Sequence, residues 1–235
     1  MTVNNSMINL IVDIIPMLIG ASAFITFVIM LKRENAKERR VMKMQINKTH
    51  EKKIVEETLY LSQDDFIEHF NKKGKRMISC ADTLNIDVQK EKDLIDSLRE
   101  DFEKGFLVTS TQIDYKNNTI THAAKSTVVK PTTIKLNAIP TESDYLPKFL
   151  QQDNALDFLR ALCSNMHLSK EKVIKKLEDI SGMKKEKICI YVESDYNNYP
   201  IRAVLLYFGG GGFVVSCWGR PGNWYYWTVS RGVKR

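Results

Sequence analysis

Ile188-Cys-Ile-Tyr-Val192, Ile201-Arg-Ala-Val-Leu-Leu-Tyr-Phe208, Phe213-Val-Val-Ser-Cys-Trp218 and Trp224-Tyr-Tyr-Trp-Thr-Val229 are four apolar and aromatic runs near the C-terminus. Each has strand length and is rich in β-branched and aromatic residues. Between them lie Asp195-Tyr-Asn-Asn-Tyr-Pro200, Gly209 to Gly212 and Gly219-Arg-Pro-Gly-Asn223, which carry turn chemistry. Short turns between consecutive strands predict an antiparallel meander. Gly209 to Gly212 is not a phosphate loop, because a strand rather than a Lys-bearing helix follows it.

Upstream, Tyr145–Gln151, Asn154–Cys163 and Lys170–Ile180 have helical periodicity, with Ser169 placed to cap the last. The expected C-terminal domain, residues 140–235, is therefore α+β, with helices packed on a four-stranded antiparallel sheet. Pro140-Thr-Glu-Ser-Asp144 marks its boundary, and Lys125 to Ile139 reads as an edge strand or connector around Pro131. Alternation puts Trp224 and Tyr226 on one strand face and Tyr225 and Trp227 on the other. Trp218, Arg220, Trp224 and Tyr226 are the candidate partner-binding residues, with Arg231 nearby.

Before that domain, Ser62 is placed to cap a helix bearing Phe66, Ile67 and Phe70. A second helix spans Ile78–Leu84 and a third Val88–Lys104, with Gly105 as its stop. Phe106-Leu-Val108 then starts a strand, and Thr111–Tyr115 and Thr119–Thr121 flank a hairpin turn. Three helices followed by a two-stranded hairpin resemble the winged-helix superfamily over residues 61–122, and residues 61–139 are assigned to that domain with its following strand. The resemblance implies DNA binding through the third helix. Its charges oppose that use: Lys90, Lys92, Arg99 and Lys104 stand against Glu91, Asp93, Asp96, Glu100, Asp101 and Glu103, a net −2. Protein contact is the favoured role of this domain, and nucleic acid is disfavoured.

The net charge of +7 is uneven. Residues 1–31 carry only Asp13, whereas 32–53 hold nine basic residues against three acidic ones. Met7 to Leu31 is almost wholly apolar, and the 18 uncharged residues from Ile14 to Leu31 would span about 27 Å as a helix. Residues 1–31 read as a short tail and a single transmembrane helix crossing a lipid bilayer through 7–31. A helical stalk follows at 32–60. Its basic residues Lys32, Arg33, Lys37, Arg39, Arg40 and Lys43 suit anionic headgroups at the membrane surface. The positive-inside rule puts the N-terminus outside and the rest in the cytosol. The order of anchor, charged stalk and winged helix resembles the membrane-anchored DDRGK-domain adaptors. At the wing this chain reads Ile113-Asp-Tyr-Lys-Asn-Asn118, where only Asp114 fits that family's signature.

His50, His69, His122 and His167 are scattered, and no catalytic, cofactor or metal motif is present. Cys80, Cys163, Cys189 and Cys217 read as free thiols. The expected function is a single-pass, cytosol-facing adaptor or assembly factor for an unidentified protein partner. The alternatives are a tethered nucleic-acid binder and a tethered enzyme.

Overall fold

Strand β3 (Phe106–Asp114) has neighbours on both sides, and this decides the architecture. It sits between β10 (Thr228–Val233) and β8 (Ile201–Gly209), so Leu107 to Thr111 are buried without a break. The computed structural model describes residues 54–58, 61–194, 197–223 and 228–233. Residues 1–51 and 52–235 form two units, and everything below belongs to the second.

Ten strands form one mixed sheet. Along its main path β1 (Ile54–Thr58) pairs with β10, then come β3, β8, β9 (Gly212–Gly219), β7 (Ile188–Val192) and β6 (Asp144–Tyr145). β2 (Arg76–Met77) joins β10, while β4 (Thr119–His122) and β5 (Thr132–Lys135) extend from the far half of β3. The β10–β3 and β7–β9 pairs are parallel, and the rest are antiparallel.

Six α-helices cover the sheet among the described residues. α1 (Gln63–Lys72) starts at Ser62, whose Oγ accepts from Asp65 N–H. α2 (Cys80–Leu84) opens with a reciprocal capping box between Ser79 and Asp82. α3 (Lys92–Lys104), α4 (Leu146–Phe149), α5 (Ala155–Leu162) and α6 (Lys170–Ser181) follow, the last capped by Ser169 and ended by left-handed Gly182. The larger core lies on one sheet face, where Leu98, Phe102, Phe158 and Leu177 meet Val204, Leu206, Val215 and Ile190. On the opposite face α1 places Phe66, Ile67 and Phe70 over Met77, Val108 and Leu205. Burial of such side chains contributes about 1.5–3 kcal/mol each.

This architecture corrects the expected fold class. The four-stranded antiparallel meander is instead part of a ten-stranded mixed sheet. β7 pairs with β9 in parallel, and the last strand lies at Thr228–Val233 and leaves the meander for β3. The winged helix is corrected as well. Its strand is a central strand of this sheet, β4 meets that strand only at Gln112, Ile113 and Asp114, and the other edge of β4 pairs with β5. Alternation reports strand periodicity but carries no information on partner or direction.

The membrane expectation is also corrected. No helix among the described residues is long and apolar enough to cross a membrane. The single-pass topology and cytosolic orientation are therefore unsupported. Residues 7–31 and the basic residues Lys32, Arg33, Lys37, Arg39, Arg40 and Lys43 lie outside the described residues. The end of the expected helical stalk is strand β1, in register with β10 from Ile54↔Val233 to Thr58↔Val229.

Candidate functional site

Helix α1 covers only one half of its sheet face. It is fixed there by Gln63, whose Nε2 donates to Thr109 O (2.6 Å) and Thr111 O (3.0 Å). Gln112 Nε2 donates to Gln63 Oε1 at 2.9 Å. The other half of the face is built by β8, β9, β7 and β6, and it is rich in exposed rings. Tyr145, Tyr191 and Trp218 are 50%, 42% and 51% exposed.

Register places these side chains together. Tyr145 is opposite Cys189, Cys189 is opposite Val214, and Val214 is opposite Tyr207. One row further, Tyr191 is opposite Ser216 and Ser216 opposite Leu205. Because neighbours in register share a face, these residues form two rows, and Trp218 lies past them in a bulge of β9, where the register shifts between Ser216 and Gly219. Phe106 closes the first row with its ring 4.6 Å from that of Tyr207. Ile190, Val192, Val215 and Cys217 point the other way, into the main core. At the strand ends the exposed Tyr199 lies under Arg220, whose guanidinium carbon is 4.0 Å from the ring centroid. Exposed Ile201 extends the same face.

Three groups on this face, Cys189, Tyr191 and Tyr207, are held in their neutral forms. Burial raises the Cys189 thiol, whose Sγ–H donates to Asp144 O at 3.5 Å. The neighbouring Cys189, with partial burial, raises the Tyr191 phenol, and burial raises Tyr207. Lys148 and Asp144 at the rim form an ion pair. Ser216 Oγ, beneath the rings, is fully buried and has no hydrogen-bond partner among the described residues.

Of the four residues singled out from the sequence, the structure brings Trp218 and Arg220 to this end of the sheet, while Trp224 and Tyr226 lie outside the described residues. Arg231 is elsewhere. It is buried on β10, with Nε 2.7 Å from Asp101 Oδ2 and Nη2 2.9 Å from Ser97 Oγ. Tyr145, Tyr191, Tyr199 and Tyr207 were missed. The signal for Tyr191 was its place between Ile190 and Val192, which puts it on the opposite face of the strand.

A second feature is a cleft of about 590 Å³ lined by Arg76, Asp82, Asn85, Glu91, His122 and Lys130, among others. Several of its polar groups are already engaged within the fold. Arg76 holds Asp82 through both guanidinium nitrogens, with Nη2 2.7 Å from Oδ1. Burial raises Asp82, but the hydrogen bonds from Arg76 and Ser79 outweigh it and keep the carboxyl below its usual range. Asn85 Nδ2 donates to Ala81 O and Cys163 O, both at 2.8 Å.

His122 bridges Thr111 Oγ1 (2.9 Å, at Nδ1) and Ala161 O (2.8 Å, at Nε2). A carbonyl only accepts, so Nε2 carries the proton and Nδ1 accepts from the Thr111 hydroxyl. Burial lowers the pKa of this ring, which is a neutral bridge with both nitrogens engaged. Burial raises Cys80 and Cys217 strongly and pushes Cys163 up to about 12, so these three stand as thiols. Among the described residues no group of three or more His, Cys, Asp or Glu is placed to hold a metal. Across the basic run at 72–76, Lys72 pairs with Glu68 and Arg76 with Asp82.

In comparisons with known proteins, no family model, no curated protein and no solved structure matches this chain.

Proposed function

We propose that residues 52–235 act as a protein-interaction module and dock a partner on the aromatic half-face built by β6, β7, β9 and β8. One observation carries this: the sheet face covered by α1 at one end continues at the other with Tyr145 and Tyr191 half exposed on neighbouring rows, and with Trp218 half exposed at the bulge that ends β9. Trp and Tyr are the side chains most enriched among the dominant contacts of protein interfaces. A contiguous exposed apolar patch is a mark of recognition. Stacking, spacing and polarity all suit contact rather than chemistry, and the adaptor role expected from the sequence keeps its support here without a winged helix.

The test is site-specific photocrosslinking in the native host. A photoreactive residue replaces Tyr191 on the face, and another replaces Lys175 on α6, across the sheet. A discrete crosslinked protein from position 191, lost at least tenfold in a Tyr145→Ala background and missing from position 175, is the expected result. Equal labelling from both positions, or none from 191, overturns the proposal.

A further inference from the structure

We infer that the partner segment docked on this face is acidic, with a cluster of aspartates or glutamates adjoining one or two large apolar side chains. This inference rests on the docking-face reading above and specifies the partner's chemistry.

A cationic turn stands at one end of the ring face. Lys184 precedes the 3₁₀ turn Lys185–Lys187, and β7 starts directly after it at Ile188. All four residues from 184 to 187 are exposed. The turn packs against β6 and α4, the elements that carry Tyr145 and Lys148. Lys187 is two residues from Cys189, so its Cα lies within about 7 Å of that of Cys189, in the row shared with Tyr145 and Tyr207.

The ammonium groups of Lys184, Lys185 and Lys187 have no ion-pair or hydrogen-bond partner among the described residues. Two of the neighbouring carboxylates are committed elsewhere. Glu178 accepts from the Lys185 backbone N–H at 3.0 Å. Asp144 accepts from Tyr145 N–H at 2.8 Å and pairs with Lys148. Within the turn three lysines stand against Glu186 alone, a net +2. Such a group attracts carboxylates and orients a partner as it approaches.

Beside the lysines lie the exposed rings of Tyr145 and Tyr191. Tyr145 is opposite Cys189, and Tyr191 follows Cys189 by two residues, so the two rings are diagonal neighbours on paired strands. Diagonal neighbours stand about 7–8 Å apart, within reach of one large apolar side chain. The cations are grouped at one end of the rings and do not run along them. At the other end Arg202 is bonded to Glu193 (2.8 Å), Arg220 covers Tyr199, and Glu142 is exposed. A nucleic-acid strand has a phosphate at every nucleotide and needs cations along its whole track. A peptide places its charge at one end and its apolar side chains at the other, which matches this face.

The experiment uses the full-length chain and fluorescence anisotropy. The probe is a fluorescein-labelled ten-residue peptide of five glutamates followed by alternating glycine and phenylalanine. A peptide with lysine in place of each glutamate and a fluorescein-labelled oligouridine are titrated alongside. Saturable binding of the acidic peptide is expected, at least tenfold tighter than that of the lysine peptide. Raising NaCl from about 0.1 M to about 1 M shortens the screening length from about 10 Å to about 3 Å and should weaken binding severalfold. Lys184→Glu, Lys185→Glu and Lys187→Glu together should weaken it at least tenfold. The same reversal at Lys170, Lys172 and Lys175 on α6 changes the net charge equally and should leave binding within twofold. Tyr145→Ala should weaken it severalfold, and if that variant does not fold, the three exposed lysines still decide. Equal binding of the two peptides, or equal loss from the two charge reversals, overturns the acidic ligand. If position 191 then still crosslinks a discrete protein, the docking face stands without it. Loss of that crosslink as well removes the docking face. Tighter binding of the oligouridine, weakened by the reversal at the turn, makes the face a base-stacking platform and overturns the inference.

Discussion

Asp101 and Arg231 show what a charge tally misses. In the sequence Asp101 adds to an acidic helix surface and Arg231 to a basic rim near the aromatics. In the fold both are almost fully buried and bonded to each other. Nothing local marks this pair, because its partners are 130 residues apart. Removing one member of such a buried pair costs about 3–5 kcal/mol. His122 is a quieter case of the same kind. The fold holds it neutral, below its ordinary pKa, whereas the unfolded chain takes up a proton near pH 6.5. The stability it contributes is full above that pH and is lost as pH falls from about 6.5 toward the folded value. Urea midpoints should therefore drop between pH 7.5 and 5.5, and the drop should be smaller in His122→Gln, which lacks the titrating ring. Equal pH slopes for the two proteins would show that His122 is not held neutral by the fold.

Among the elements, the strands at Ile188–Val192, Ile201–Gly209 and Gly212–Gly219 were legible, as was the hairpin at β3 and β4. Their alternation and turn residues are local signals. Ser62 and Ser169 were legible as caps for the same reason. Strand partners were not, because parallel pairing of β7 with β9 depends on the intervening chain rather than on either strand. The glycine run at 209–212 shows two separate requirements. Gly210 and Gly211 sit at φ of +60° and +81°, the conformation of a tight hairpin. Gly212 has a different constraint: an added Cβ would lie 2.2 Å from the Lys187 carbonyl oxygen. Gly210→Ala meets open space and should cost only the left-handed penalty, about 1–2 kcal/mol. Gly212→Ala must push the start of β7 away from β9 and should cost more, roughly 3 kcal/mol. Thermal or urea unfolding of the two variants compares them directly, and an equal loss would mean that the backbone at Lys187 gives way freely.

At the scale of the whole molecule, the divide expected near Pro140 meets a continuous sheet. β3 precedes that residue in the chain, and both of its long neighbours, β8 and β10, follow it. Cutting there would strip β8 of its pairing with Leu107, Val108 and Gln112 to Asp114, and would expose Val204 and Leu206 where α3 now covers them. It would also remove α1 from Leu205 and Asp101 from Arg231, leaving a buried guanidinium without its carboxylate. Each loss falls on core residues, so neither part retains a complete apolar core or a closed set of hydrogen bonds. Residues 61–139 and 140–235 expressed separately should each lack a cooperative thermal transition by circular dichroism. The intact chain should melt residues 52–235 in one step. Mixing the two fragments should restore part of the transition, since the β3–β8, β3–β10 and β2–β10 pairs can form again between them, whereas β1 is in neither fragment. A cooperative melt with dispersed amide resonances from 140–235 alone would show instead that β8, β9, β7 and β6 carry the aromatic face without β3. The docking surface would then be separable from the rest of the sheet.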